Sequence, residues 1–236
     1  MDHIHTIPVL DALREPQGCA FCTMKNKLDS DAIQFIMGPA YMEEDVRMDT
    51  NKTGFCKHHM NAMYKHQNRL GLALMLHSHM QQINKDVSNI IQGRKPAPLF
   101  GKDPNSVATR LKKHLISTHE SCYICNKVEN TFAKYIDTFF RLWSKGGEEG
   151  KLIKSQKSYC IPHFIELLSK AEGLGRGKRE NFLDEILPIW QNSAIELEED
   201  LEWFIQKFDH RNSDEPWKNS KDALPRALTL LGGNQE

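Results

Sequence analysis

The chain has 236 residues, with 31 Lys and Arg against 31 Asp and Glu, so its formal net charge is zero. That length fits one large or two small domains, and a neutral balance gives no whole-chain attraction for nucleic acid or anionic lipid. The N-terminal residues, Met1 to Pro8, have no apolar core of the signal-peptide kind, and the longest apolar run, Leu70 to Leu76, is far short of the roughly 20 residues that span a bilayer; a cytoplasmic chain with reduced thiols is expected.

In chain order, residues 1–18 form a lead-in with a short helix after Pro8. A helix is expected from Cys22 to Met37, with Met24, Leu28, Ala32, Phe35 and Ile36 near one face and Gly38-Pro39 as its stop. Residues 40–55 read as a charged return segment ending in the loop Asn51-Lys-Thr-Gly54. From Cys56 to about Gln92 the pattern predicts one long helix, with Gly71 as its only glycine. Met63, Leu70, Leu74 and His77 share a stripe there, which makes His77 a buried core histidine, and an apolar surround at 70–76 predicts a buried central helix. Residues 94–105 hold Pro96, Pro98, Gly101 and Pro104 and read as a linker between two halves.

The second half opens on a basic helix, Ser106 to Thr118, carrying Arg110, Lys112, Lys113 and His114. A helix over Lys127 to Trp143 follows, with Phe132, Tyr135, Phe139, Phe140 and Trp143 as an aromatic core face, broken by the Gly-rich stretch 145–150. Further helices are expected over Cys160 to Lys170 and over 178–208, the latter kinked at Pro188. A tail, 209–236, ends in a short helix near Ala223 to Leu231. No stretch alternates with period two, so the expected class is all-α.

The chemistry lies in one repeated pattern. Cys19-Ala-Phe-Cys22 is followed, after 33 intervening residues, by Cys56-Lys-His-His59; Cys122-Tyr-Ile-Cys125 is followed, after 34 intervening residues, by Cys160-Ile-Pro-His163. The copies are offset by 103 residues at the first pair and 104 at the second, and all 6 cysteines belong to the scheme. A fixed-period repeat predicts two pseudo-repeat helical units: residues 1–93 and 106–208, with 209–236 packed on the core. Three thiolates and one imidazole per copy match a closed tetrahedral zinc site, so two zinc ions per chain are expected. Cys-x-x-Cys and Cys-x-x-His each bring two donors to one ion from a single turn. Placed at helix starts, the thiolates would be favoured by the positive end of the helix dipole. Lys25, Lys57 and Lys127 lie close enough in sequence to offset the net negative charge of such a site.

If residues 40–55 are extended, they can return the chain past the first helix, so pairing within each half is the favoured arrangement; pairing across the halves stays open. The same donors would also hold an iron–sulfur cluster. His58 competes with His59 as ligand, but Pro162 stands at the equivalent place in the second copy and favours His59. Asp209, Asp214 and Glu215 have no spacing that singles them out, and no phosphate-cradling loop or nucleophile motif is present.

Several stretches carry a resemblance beyond the cysteines: Ile4 to Ala12, Gly38 to Met42, Asn68 to His77, Asp200 to Ile205 and Asp214 to Arg226. Together the chain resembles a bacterial family of unknown function found mainly in anaerobes, whose pattern includes the paired cysteine motifs. The resemblance spans nearly the whole chain and implies no activity. An anaerobic setting favours the iron–sulfur reading modestly. Three readings of function follow: a non-enzymatic zinc scaffold or interaction protein with a protein partner, an iron–sulfur electron-transfer protein, and a zinc protein that meets nucleic acid through the basic helix at 106–114. The first is preferred.

Overall fold

A computed structural model describes residues 4–15, 18–93 and 105–233. These residues are helical without a strand: α1 (Thr6–Arg14), α2 (Ala20–Met37), α3 (Glu44–Thr53), α4 (Lys57–Lys65), α5 (Arg69–Gln92), α6 (Val107–Glu120), α7 (Tyr123–Lys145), α8 (Gly147–Lys154), α9 (Ile161–Glu172), α10 (Arg176–Gln206) and α11 (Ala223–Gly232). The expected all-α class is therefore found. The linker at 94–105 lies, except for Asn105, outside the described residues.

Packing divides the chain into two compact units, and neither is a sequential half. One comprises residues 1–27 with 132–236; the other comprises 28–131. The boundaries fall inside α2 and α7, so the expected repeats 1–93 and 106–208 are not the packed bodies.

In the unit of residues 28–131, the core is built from Ala32, Ile36 and Met37 of α2, Val46 of α3, Met63 of α4, Leu72 and Met75 of α5, and Ile124 and Val128 of α7. Two expectations change here. Residues 44–53 are helical rather than an extended return: Glu44 and Asp45 sit in the first turn, where the dipole favours them. Val46 and Thr50, one turn apart, are its buried positions. The predicted 56–92 helix is also broken. α4 ends at Lys65, and Asn68 caps α5 by accepting from the Gly71 amide at 2.9 Å while donating to the Met37 carbonyl at 2.9 Å. A Cβ on Gly71 would lie 2.6 Å from the Asn68 amide nitrogen, so the cap needs this glycine. The break rotates the register: Leu72 and Met75 are buried, Leu70 is 67% exposed, and His77 faces solvent rather than the core.

The other unit is organised by aromatic rings. Phe21 packs against Phe139 and Phe132 at 5.0 and 6.2 Å and near Tyr159 at 6.0 Å. Phe182 of α10 meets Phe140 and Trp143 at 4.7 and 5.1 Å, and Trp143 donates to Glu185 at 2.6 Å. The aromatic face read at 132–143 is thus core. The glycines at 146–147 end α7 with positive φ but immediately start α8, so that stretch is a corner between helices. α10 runs through Pro188. Below it, the buried Lys207 donates to the carbonyls of Asn212, Ser213 and Glu215 and so ties the tail to the end of α10. Ala223 and Ala227 of α11 pack on Leu197.

Candidate metal centres

All four motifs sit at helix starts, as their spacing predicts. Cys19 precedes α2 and Cys22 lies in its first turn; Cys122 and Cys125 stand in the same way to α7. Cys56 and Cys160 are the N-caps of α4 and α9, with His59 and His163 in the first turns.

The eight residues gather into two groups, but the pairing crosses the copies. Cys19 and Cys22 meet Cys160 and His163; Cys56 and His59 meet Cys122 and Cys125. The favoured pairing within each half is corrected, and the reason lies in the return segment. α2 rises about 27 Å over its 18 residues, whereas the helical α3 covers only about 15 Å in 10. The return is thus shorter than the extended chain that pairing within the halves assumed. Instead the loop before Cys56 is tied to the start of α7: the Tyr123 amide donates to the Gly54 carbonyl at 2.9 Å, and Ser121 Oγ to the Thr53 carbonyl at 2.5 Å. Gly54 has φ 60° and ψ −151°, a conformation nearly restricted to glycine. A Cβ there would fall 2.3 Å from Nε2 of His79, whose Nδ1 bonds the Asn51 carbonyl at 2.7 Å.

The first centre is fully enclosed. Cys19, Cys22, Cys160 and His163 are all buried. His163 Nδ1 lies 3.7, 3.4 and 3.1 Å from the sulfurs of Cys19, Cys22 and Cys160, and the Cys22 and Cys160 sulfurs are 3.5 Å apart. Phe21 and Phe132 flank the imidazole. Gly233, at the end of α11, backs the Cys22 and Cys160 sulfurs so closely that a Cβ would touch both at 3.7 Å.

The second centre is more open. Cys122 and His59 are buried, while Cys56 and Cys125 keep partial solvent contact. His59 Nδ1 lies 3.2, 3.3 and 3.4 Å from Cys56, Cys122 and Cys125, and the Cys56 and Cys125 sulfurs are 3.8 Å apart. The other ring nitrogen, Nε2, bonds Asp29 Oδ1 at 2.6 Å. A carboxylate behind a ligating histidine fixes the tautomer and turns the free lone pair toward the ion. Asp29 is the residue of this candidate site that sequence reasoning missed: it lies ten residues beyond Cys19 on α2, with no local signal linking it to His59. His58 is exposed and outside both groups of four, so His59 is the histidine gathered with the three sulfurs.

The donor sets fit a single tetrahedral ion. Metal–sulfur bonds of about 2.3 Å and a metal–nitrogen bond of about 2.05 Å would separate sulfurs by about 3.8 Å and sulfur from nitrogen by about 3.6 Å. The observed separations fall close to these, and far from the roughly 2.05 Å of a disulfide. The protonation of the metal-free groups points the same way. Burial pushes His59 down, but its bonds to Cys122 and Asp29 prevail and raise it to about 9. Burial pushes the Cys122 thiol up, but His59 prevails and lowers it to about 6. His163, also opposed by burial, is raised to about 9 by Cys19 and Cys22. Cys125 is pushed up by burial and by the Cys122 charge, and Cys160 by its bonds to Cys19 and Cys22. One imidazolium per centre cannot neutralise three thiolates, so thiols keep their protons; a divalent cation would displace them.

The lysines expected to offset charge lie as follows. Lys25 lies 5.2 Å over the Phe132 ring and Lys127 3.6 Å over Phe35, and Lys57 faces solvent. In the basic helix, Arg110 is spent on the end of α5, donating to the carbonyls of Ile90 and Gly93. No described helix is long and apolar enough to cross a membrane. Comparison with curated proteins and with solved structures finds no match. The profile of a family of unknown function, DUF6062, matches residues 1–236, and the chain belongs to that family.

Proposed function

We propose that the protein is a non-enzymatic zinc-binding helical scaffold, an interaction protein whose two Cys3His centres each hold one structural zinc. The observation that carries this reading is the closure of each centre: four protein donors at the edge lengths of one small tetrahedron. Catalytic zinc keeps a position open for water or substrate, and four protein ligands leave none. The ion would pin two helix starts together in each unit, α2 to α9 in one and α4 to α7 in the other, and its binding energy would become folding energy. Donors drawn this close favour one ion over the multi-iron core of an iron–sulfur cluster, although the ligand types suit either.

The test is anaerobic purification followed by metal analysis, sulfide assay and a visible spectrum. Two zinc per chain, no sulfide and no colour are expected. Iron with matching sulfide, bleached by dithionite, would replace this reading with electron transfer.

A further inference from the structure

The two centres have the same donors but unequal access to solvent. In the first, every ligand is buried, Cys160 to 1% and Cys19 and Cys22 to 3% each, behind Phe21, Phe132 and the Gly233 backbone. In the second, only Cys122 and His59 are sealed, and Cys56 and Cys125 reach the surface. The sulfurs of these two partly exposed residues neighbour each other at 3.8 Å. Each belongs to a helix start, Cys56 as N-cap of α4 and Cys125 in the first turn of α7, where the dipole favours thiolate. Oxidation of cysteine follows thiolate character and exposure together; every sulfur that ligates a metal is a thiolate, so exposure is what singles out this pair.

We infer that the second centre is a peroxide-responsive switch: hydrogen peroxide oxidises Cys56 and Cys125 to a disulfide and releases that centre's metal, while the first centre keeps its own. The inference rests on the metal reading above. The chemistry balances. One of the two thiolates attacks a peroxide oxygen, the O–O bond breaks, and the departing oxygen leaves as water after taking a proton from solvent. The resulting sulfenic acid is attacked by the neighbouring thiolate; a sulfur–sulfur bond forms and a second water leaves with another proton. The two sulfurs give up two electrons, and the peroxide accepts them. Cys122 and His59 remain, and two donors do not retain the ion that four held. In the first centre, burial of all three cysteines slows the approach of peroxide to a sulfur.

The experiment uses the metal-loaded full chain. Hydrogen peroxide is added stepwise, released metal is followed with a chromophoric chelator, and the cysteines are alkylated and mapped by mass spectrometry. Release of one metal per chain, with a Cys56–Cys125 disulfide and at least tenfold slower loss of the second metal, is the expected result; dithiothreitol and added zinc restore the starting state. Loss of both metals together, no loss, or a disulfide in any other pair, Cys122–Cys125 included, overturns the inference while leaving the metal reading intact. Purified chain that neither carries nor takes up zinc overturns the metal reading itself, and this inference with it.

Discussion

Removing the Asp29 carboxylate tests how the second centre is built. Asp29 Oδ1 accepts from His59 Nε2 at 2.6 Å; the histidine side chain is 4% exposed and the aspartate 28%. With Nε2 holding its proton against Asp29, Nδ1 faces the three sulfurs with its lone pair. Loss of such an outer partner costs 10–100-fold in metal affinity, or about 1.4–2.7 kcal/mol. The bond is short and its imidazole is buried, which places Asp29→Ala near the hundredfold end. Asp29→Asn keeps an acceptor oxygen without the charge and should cost about tenfold. The first centre supplies an internal control, because its ligands lie in the other unit. Competition against a chelator of graded affinity, read by metal analysis, should therefore show one weakened site and one unchanged. Equal weakening of both sites, or no weakening in Asp29→Ala, would refute this account of His59.

Three further perturbations have defined outcomes. Gly54→Ala forces a side chain into a glycine conformation and against His79; it should cost about 1–3 kcal/mol and loosen the second centre, as thermal unfolding and chelator competition would show. Phe21→Ala removes a ring packed against Phe132, Phe139 and Tyr159 one residue from Cys22; a loss of about 3–5 kcal/mol, with faster metal loss from the first centre, is expected in denaturant titration. Acid should release both metals. The metal-free clusters hold His59 and His163 protonated up to about 9, and Cys125 and Cys160 are pushed upward. Near neutral pH each centre must shed at least two protons to bind, so apparent affinity should fall about hundredfold or more per pH unit as pH drops below about 9; a slope below tenfold would contradict the protonation scheme.

What could be read from the sequence was local. Donors three residues apart and their place at helix starts follow from backbone geometry within one turn. The aromatic core of α7 follows from helical periodicity over 132–143. Partner choice between the motifs was not legible, because it depends on the conformation of residues 40–55, where charge hides a helix buried only at Val46 and Thr50. The break at 66–68 did leave a signal, Asn68 followed three residues later by Gly71, but the apolar run around it reads as continuous helix. Asp29 meets His59 only through tertiary packing, so no short-range pattern marks it.

The central claim is the crossed pairing, and thiol labelling of one double variant tests it directly. Cys56→Ser with His59→Ala disables one centre. Under crossed pairing the chain retains one zinc, and chelator-dependent protection from alkylation falls on Cys19, Cys22 and Cys160, with Cys122 and Cys125 labelled whether or not chelator is present. Protection of Cys122, Cys125 and Cys160, with Cys19 and Cys22 open, would show pairing within the halves and contradict the account.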